Sequence, residues 1–296
     1  MAILTSWRAL LVREYLEHRI SFLWAPLGIL ALLVLAGVSA LSFNRVGAVA
    51  SFAVPDALKV FELGYLMLLV LWLAYMGVAL FFYFGDAFSA DRRNNAMFFW
   101  KSMPVTDLKV LVSKYLAGSL LFPAIVLVIG MVSGLMFFLM INVAPYVLPG
   151  LALLDPVAAL GSFVQVSLFA VTFYALALLW YAPFLAWVGG LSTVFGRWSL
   201  PLAFVIPGLL AVIENVALFG RGPRGGHVWS YLGYRWEFAF DDADVTLLLF
   251  DGRPFSAATF VGRLVADIDW TQMAIGLVFA ALVIWLASEY RRRRIA

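Results

Sequence analysis

Cysteine is absent from this chain, and histidine occurs only twice, at His18 and His227. Without thiols there are no disulfides and no thiolate metal sites. With both histidines outside the apolar runs there is no HExxH pair, and so no zinc-dependent intramembrane protease. A GxSxG nucleophile elbow is missing, and so is a GxxxxGK[ST] phosphate loop. The chain therefore does not hydrolyse ATP through a P-loop of its own. Charge is also scarce, at 12% of residues against 65% apolar. A soluble domain has about a quarter charged residues. So few charges cannot solvate a surface of this size, which must largely face lipid. The net charge of +3 is no nucleic-acid signal, because the basic residues sit in flanks and loops rather than on one interleaved patch.

What is present is a series of long uncharged runs. Ile20–Phe43 has no charge over 24 residues, Leu63–Gly85 none over 23, Tyr115–Leu154 none over 40 and Pro156–Gly196 none over 41. Trp198–Gly220 is interrupted only by Glu214, and Trp270–Ser288 adds 19 more. A spanning helix needs about 20 apolar residues, and runs this continuous exclude the alternation of a barrel. Pro145 and Pro149 suggest that the third span ends near Asn142. Pro183 and Gly189-Gly190 suggest that the fourth is kinked and turns before Arg197.

Charge bias decides the count. With six spans and both termini inside, the inner segments hold 13 Lys/Arg and the outer ones 7, five of them in one long loop. A seventh span would put Arg291–Arg294 outside, against the positive-inside rule. The expectation is an all-α integral membrane protein with six transmembrane helices and cytoplasmic N- and C-termini. It is a single domain over 1–296. The parts are an inner amphipathic helix at 1–19, spans at 20–43, 60–85, 110–142, 158–188, 198–220 and 270–288, a cytoplasmic coupling loop at 86–109, and an outer loop at 221–269. The first apolar run begins only near Ile20, after acidic as well as basic residues, so the N-terminus does not read as a cleavable signal peptide.

In residues 3–18, Leu4, Trp7, Leu11 and Tyr15 form an apolar stripe, with Arg13, Glu14, Glu17 and His18 largely opposite. That spacing suits a helix in the inner interface, or an extension of the first span. In the outer loop, RGPRGGH (Arg221–His227) reads as a flexible turn. Trp229, Tyr231, Tyr234 and Trp236 read as an interfacial aromatic belt. Ala258, Val261, Leu264, Val265 and Ile268 predict a short amphipathic helix. Asp241, Asp242 and Asp244 lack the glycine and terminal glutamate of a calcium loop and read as a solvated turn, so no metal site is expected.

Candidate path residues are few. Glu214 lies in the fifth span, and an intramembrane carboxylate is costly enough to suggest function; a protonated or packed role is the equal alternative. Glu62 sits near the outer start of the second span, where reaching the interface is the simpler reading. Gln165 and Thr172, with Ser162 and Ser167, put polar groups into the fourth span, as a path or as interhelical glue. Gly130 and Gly134 form GxxxG in the third span and permit close packing.

The most unusual stretch is Asp86–Lys114, DAFSADRRNNAMFFWKSMPVTDLKVLVSK, with 8 charges in 29 residues between two uncharged runs. Its basic Arg92-Arg93, its turn Lys101-Ser102-Met103-Pro104-Val105-Thr106 and the following Lys114 carry a family resemblance, together with WRALLVREYLEHR at Trp7–Arg19. In layout over the whole chain, and in motif over about 25 residues, the sequence resembles the membrane subunits of type-2 ABC exporters. There a basic residue opens a short inner helix that ends in a Ser-x-Pro-Val/Ile-Ser/Thr turn. Asn94-Asn95 departs from the Gly-Thr or Gly-Ser pair frequent in that pattern.

The resemblance implies a permease subunit of an ATP-driven exporter in a bacterial inner membrane. It also implies a second copy or a homologous permease, and a separate ABC-type ATPase that carries ATP and Mg; this chain itself binds no cofactor. The docking helix would span about 91–102. Phe98, Phe99 and Trp100 are large anchors of the hot-spot kind, with an aromatic cluster on the lipid interface as the alternative. Arg92, Arg93 and Lys101 can meet an acidic rim, and Pro104 stops the helix. The alternatives are an ion-coupled secondary transporter using Glu214, or a membrane assembly protein that transports nothing.

Overall fold

The computed structural model describes residues 2–42, 57–93, 105–147, 153–218, 226–238 and 254–294, and all regular structure among them is helical. Helix α1 (Ala2–Arg19) continues through a π-helical turn at Ile20–Trp24 into α2 (Ala25–Ser42). Next come α3 (Ala57–Arg93) and α4 (Asp107–Leu116). A second π turn at Ala117–Leu121 joins α4 to α5 (Phe122–Val147). Helix α6 (Pro156–Phe195) leads through a short 3-10 turn, Gly196–Trp198, to α7 (Ser199–Ile213), which ends in a third π turn, Glu214–Leu218. Helices α8 (Gly226–Trp236), α9 (Ala257–Asp267) and α10 (Trp270–Arg294) complete the order.

Among the described residues, five helical stretches are long and apolar enough to cross a membrane: Ser6–Ser42, Ala57–Asp91, Asp107–Val147, Pro156–Ala217 and Trp270–Arg293. The fourth is 62 residues long and does not run straight. Trp187 donates its indole N–H to the Ala203 carbonyl at 3.4 Å. Sixteen residues of straight helix would separate these groups by about 24 Å, so the chain has turned back. The reversal uses Gly196, at φ 57° and ψ −120°, where a Cβ is strongly disfavoured. Ser199 then fixes the start of α7 by donating to the Gly85 carbonyl at 2.8 Å.

Residue pairings give the directions. Along α3 and α6, Glu62 meets Ser162, Tyr65 meets Ser167, Leu69 meets Tyr174 and Phe88 meets Gly189. The numbers rise together, so the two helices are parallel. Pro183 beside Gly276 and Gly190 against Val283 make α10 parallel to α6. Helix α5 opposes α3: Phe122 packs on Tyr83, Ser133 on Trp72 and Phe137 on Phe61.

The expected GxxxG is used in that last contact. A Cβ at Gly134 would come within 2.3 Å of the Tyr65 ring, and one at Gly130 within 3.2 Å of Trp72. The glycines let two aromatic side chains approach the α5 backbone closely, where dispersion with the ring replaces a side-chain contact.

Several boundaries differ from expectation. Helix α3 runs to Arg93 rather than stopping at 85, because Asp86 and Asp91 are carried on its last turns. Helix α5 passes Asn142 and holds Pro145 within it. Helix α6 continues through Gly189-Gly190 to Phe195; these glycines are close-approach points for Phe88 and Val283, not a turn. The 1–19 segment is joined to the first apolar helix without a break, since Arg19 has helical dihedrals (φ −57°, ψ −27°). Glu14 lies on the packed face of α1 rather than the open one, 2% exposed. In α9 the packed face is Ala257, Phe260 and Leu264, with Ile268 just beyond its end; Leu264 and Ile268 belong to the expected stripe, whereas Ala258 and Val265 are exposed. The aromatic segment 226–236 is a helix rather than loop. Asp241, Asp242 and Asp244 lie outside the described residues.

Candidate functional site

Among the described residues, buried charge is concentrated where the C-terminal end of α3 meets α1, α4 and α10. Asp91, on the last turn of α3, is 1% exposed. Its Oδ1 receives Arg13 at 3.2 Å and lies 3.7 Å from Lys114 Nζ; its Oδ2 lies 3.4 Å from Arg291 Nη1. Lys114, fully buried, makes its closer ion pair with Glu14 at 2.8 Å. Tyr83 donates its hydroxyl toward Glu14 Oε2 at 3.1 Å and the Lys114 carbonyl at 2.9 Å. Arg291 reaches the Phe88 carbonyl at 3.5 Å and, through Nε, Asp107 at 3.5 Å.

The geometry has a mechanical reading. Asp91 lies at the end of one helix and Asp107 begins the next, and a single guanidinium from α10 contacts both. The two ends of the segment 94–104 are therefore tied to each other through Arg291. Thr106 caps α4, its hydroxyl accepting the Lys109 N–H at 3.3 Å, and so fixes where the segment re-enters helix. Helix α1 closes the other side: Leu10 packs with Val110, and Lys109 Nζ contacts Ser6 at 2.5 Å and lies 5.3 Å from the Trp7 ring centre. Buried ions of this kind tolerate loss of a partner poorly, because the charge left behind is uncompensated.

Arg92 and Arg93 are the last helical residues of α3. The expected docking helix from Asp91 therefore begins, at Asp91–Arg93, as a continuation of α3. Phe98, Phe99, Trp100, Lys101 and Pro104 lie outside the described residues.

The four candidate path residues do not converge. Glu62 is 1% exposed and does not reach an open interface. It pairs with Lys59 at 2.9 Å and accepts from Ser162 at 2.5 Å and from the Phe255 N–H at 2.8 Å. Gln165 accepts the Ala257 N–H at 3.0 Å. These two fasten the segment 254–257 to α3 and α6 at the end opposite Asp91. Glu214 receives the N–H groups of His227 at 2.9 Å and Val228 at 2.7 Å, so it caps the first turn of α8. Thr172 is half-buried and bonds back to the Leu168 carbonyl of its own helix at 3.1 Å. Among the described residues no group of histidine and carboxylate side chains could hold a metal ion.

In the sequence, Asp91 and Lys114 stand out as parts of a charged insert, but their partners do not. Glu14 reads as part of the open face of α1, and Arg291 as one of four terminal arginines. The signal available for α1 is the spacing by four of Leu10, Glu14 and His18, of which the first two are buried and the third half-buried.

The family model for the ABC-2 family transporter protein matches residues 50–215, more than half of the 296-residue chain. The chain belongs to this family. It is a multi-pass membrane protein and a permease component of an ABC transporter. No curated protein and no solved structure matches it. The region matched to the ABC-2 model takes in α3 to α7, with Asp91, Asp107 and Lys114. Glu14 and Arg291, which complete the ionic cluster, come from α1 and α10 on either side of it.

Proposed function

We propose that this ABC-2 permease is the membrane subunit of an ATP-driven exporter and docks a separate ATPase through the segment 91–104. The observation that carries the reading is Arg291 holding Asp91 and Asp107 together. A segment pinned at both ends to the helices it joins passes a push from a soluble partner to those helices as a unit, in the rigid-body manner of coupled transporters.

Six crossings follow, counting both limbs of the Pro156–Ala217 hairpin, with the Asp91 end and both termini in the cytoplasm of a bacterial cell. The positive residues of the 86–114 region and of Arg291–Arg294 support that orientation. The four path candidates are occupied in fastening, in capping or in a bond within their own helix. A path shared between two permease subunits, identical or homologous, fits that arrangement better than one drilled through a single chain. ATP and Mg belong to the partner subunit, and this chain contributes docking and movement rather than hydrolysis.

The test is co-purification from native membranes. The wild-type chain retains a P-loop ATPase, and Phe99→Ala and Trp100→Ala each weaken that association by about 2 kcal/mol, roughly 30-fold in affinity. Undiminished capture of the ATPase by both variants removes the docking assignment.

A further inference from the structure

A second junction lies at Pro183 in α6. Proline has no N–H, so the Leu179 carbonyl one turn earlier receives no backbone donor from it, and the ring crowds that turn. In a lipid setting, helix carbonyls without donors are expensive. Two carbonyls of that turn, Trp180 and Ala182, whose backbone donors Pro183 does not remove, accept side chains from two different elements. Arg235, on α8 and 2% exposed, donates to the Trp180 carbonyl at 2.7 Å and to the Gln272 carbonyl of α10 at 3.3 Å. Tyr115, on α4, donates its hydroxyl to the Ala182 carbonyl at 3.2 Å.

The attachment of α8 is reciprocal. Trp180 returns its indole N–H to the Arg235 carbonyl at 3.0 Å, Tyr181 donates to the Trp236 carbonyl at 2.8 Å, and the guanidinium lies 4.2 Å from the Trp180 ring centre. Among the described residues no carboxylate lies within ion-pair distance of Arg235, so its charge is spent on carbonyl dipoles and a π face. The site is also shaped around it. A Cβ at Gly276 would come within 2.7 Å of the guanidinium and 3.2 Å of the Pro183 ring.

We propose that Arg235 and Tyr115 are positioning residues that together hold the turn of α6 at Pro183, so that movement of α4 reaches helix α8 through this turn. Tyr115 sits on the helix that directly follows the segment 94–104. Arg235 sits on the helix that Glu214 caps. The proposal rests on the permease reading for the source of the movement, and on the local geometry alone for the hold on this turn.

The test uses the absence of cysteine. Val171→Cys and Val194→Cys place spin labels on exposed positions of α6, one on either side of Pro183, roughly 35 Å apart along the helix. In lipid nanodiscs without the ATPase, Arg235→Gln broadens or shifts the interspin distance. Gly276→Ala does the same by displacing the guanidinium while keeping its charge. Wild-type distributions in both variants overturn the hold on this turn.

In the complex with its ATPase, trapping with ATP and vanadate shifts the wild-type distance, and Tyr115→Phe, which removes one hydroxyl, loses that shift while keeping the resting distance. A retained shift in Tyr115→Phe overturns the transmission step. A wild-type distance that ignores nucleotide also overturns it, leaving ATPase docking to be judged by co-purification.

Discussion

Helix α3 carries a buried carboxylate near each end, and the two are held in unlike ways. Asp91 is surrounded by cations from three other helices, at 3.2, 3.4 and 3.7 Å. Glu62 has one cation from its own helix, Lys59, and otherwise binds a serine hydroxyl and a backbone N–H. The Glu62 end is a fastening whose partners are fixed in place by a backbone and by a neighbour three residues away. The Asp91 end consists of long side chains from separate helices, sharing the carboxylates of the cluster among several cations. Such a cluster can exchange partners when the helices shift; a backbone N–H cannot.

The strongest way to break this comparison is at Asp91. Asp91→Ala leaves Arg291 and Lys114 short of compensation in a buried site. It should cost about 3–5 kcal/mol, read as a lower midpoint in thermal unfolding of the purified permease. A loss below about 1 kcal/mol would mean that the cluster is hydrated and energetically slack. Glu62→Gln should cost about 2 kcal/mol, since it keeps an acceptor for Phe255 but strips Lys59 of its counter-ion. Limited proteolysis between residues 238 and 254 should then accelerate as the 254–257 anchor loosens. If both variants lose equal stability, the contrast between the two ends dissolves. The smallest effect is expected for Glu214→Gln. A neutral acceptor still caps α8, so the loss should be about 0.5–1 kcal/mol, with ATP-dependent transport intact. Abolished transport with normal folding would instead favour the ion-coupled alternative.

Much of the fold is legible in the sequence because lipid imposes a simple code. Uncharged runs locate the apolar helices from Ile20 to Ser288, and Gly130/Gly134 mark a close approach that the structure contains. Boundaries are less legible where charge is taken as a sign of leaving the helix. Asp86 and Asp91 remain helical because the last turns of α3 are packed by α1, α7 and α10, which are far away in sequence, as well as by α4. Proline misleads for a similar reason at Pro145, where the surrounding helix continues. The polar residues of α6 are open, in sequence, between path and glue. Ser162, Gln165 and Ser167 bond to Glu62, Ala257 and Tyr65, partners 92 to 102 positions away. No local pattern encodes those pairings. The helix at 226–236 is hidden by its glycines and aromatics, which read equally well as a turn and a belt.

The π turns at Ile20–Trp24 and Ala117–Leu121 sit side by side: Phe22, within the first, stacks on Phe122, directly after the second, at 4.0 Å. Each π turn accommodates one residue more than an α-helix needs for the same path. Two adjacent rods thus have their surplus of backbone at one height. Below it, α1 and α4 are riveted by Glu14 and Lys114; above it, α2 and α5 run on together. The pair is jointed like two fingers bent at the same knuckle, and a one-residue deletion in either π turn would leave the neighbours out of step.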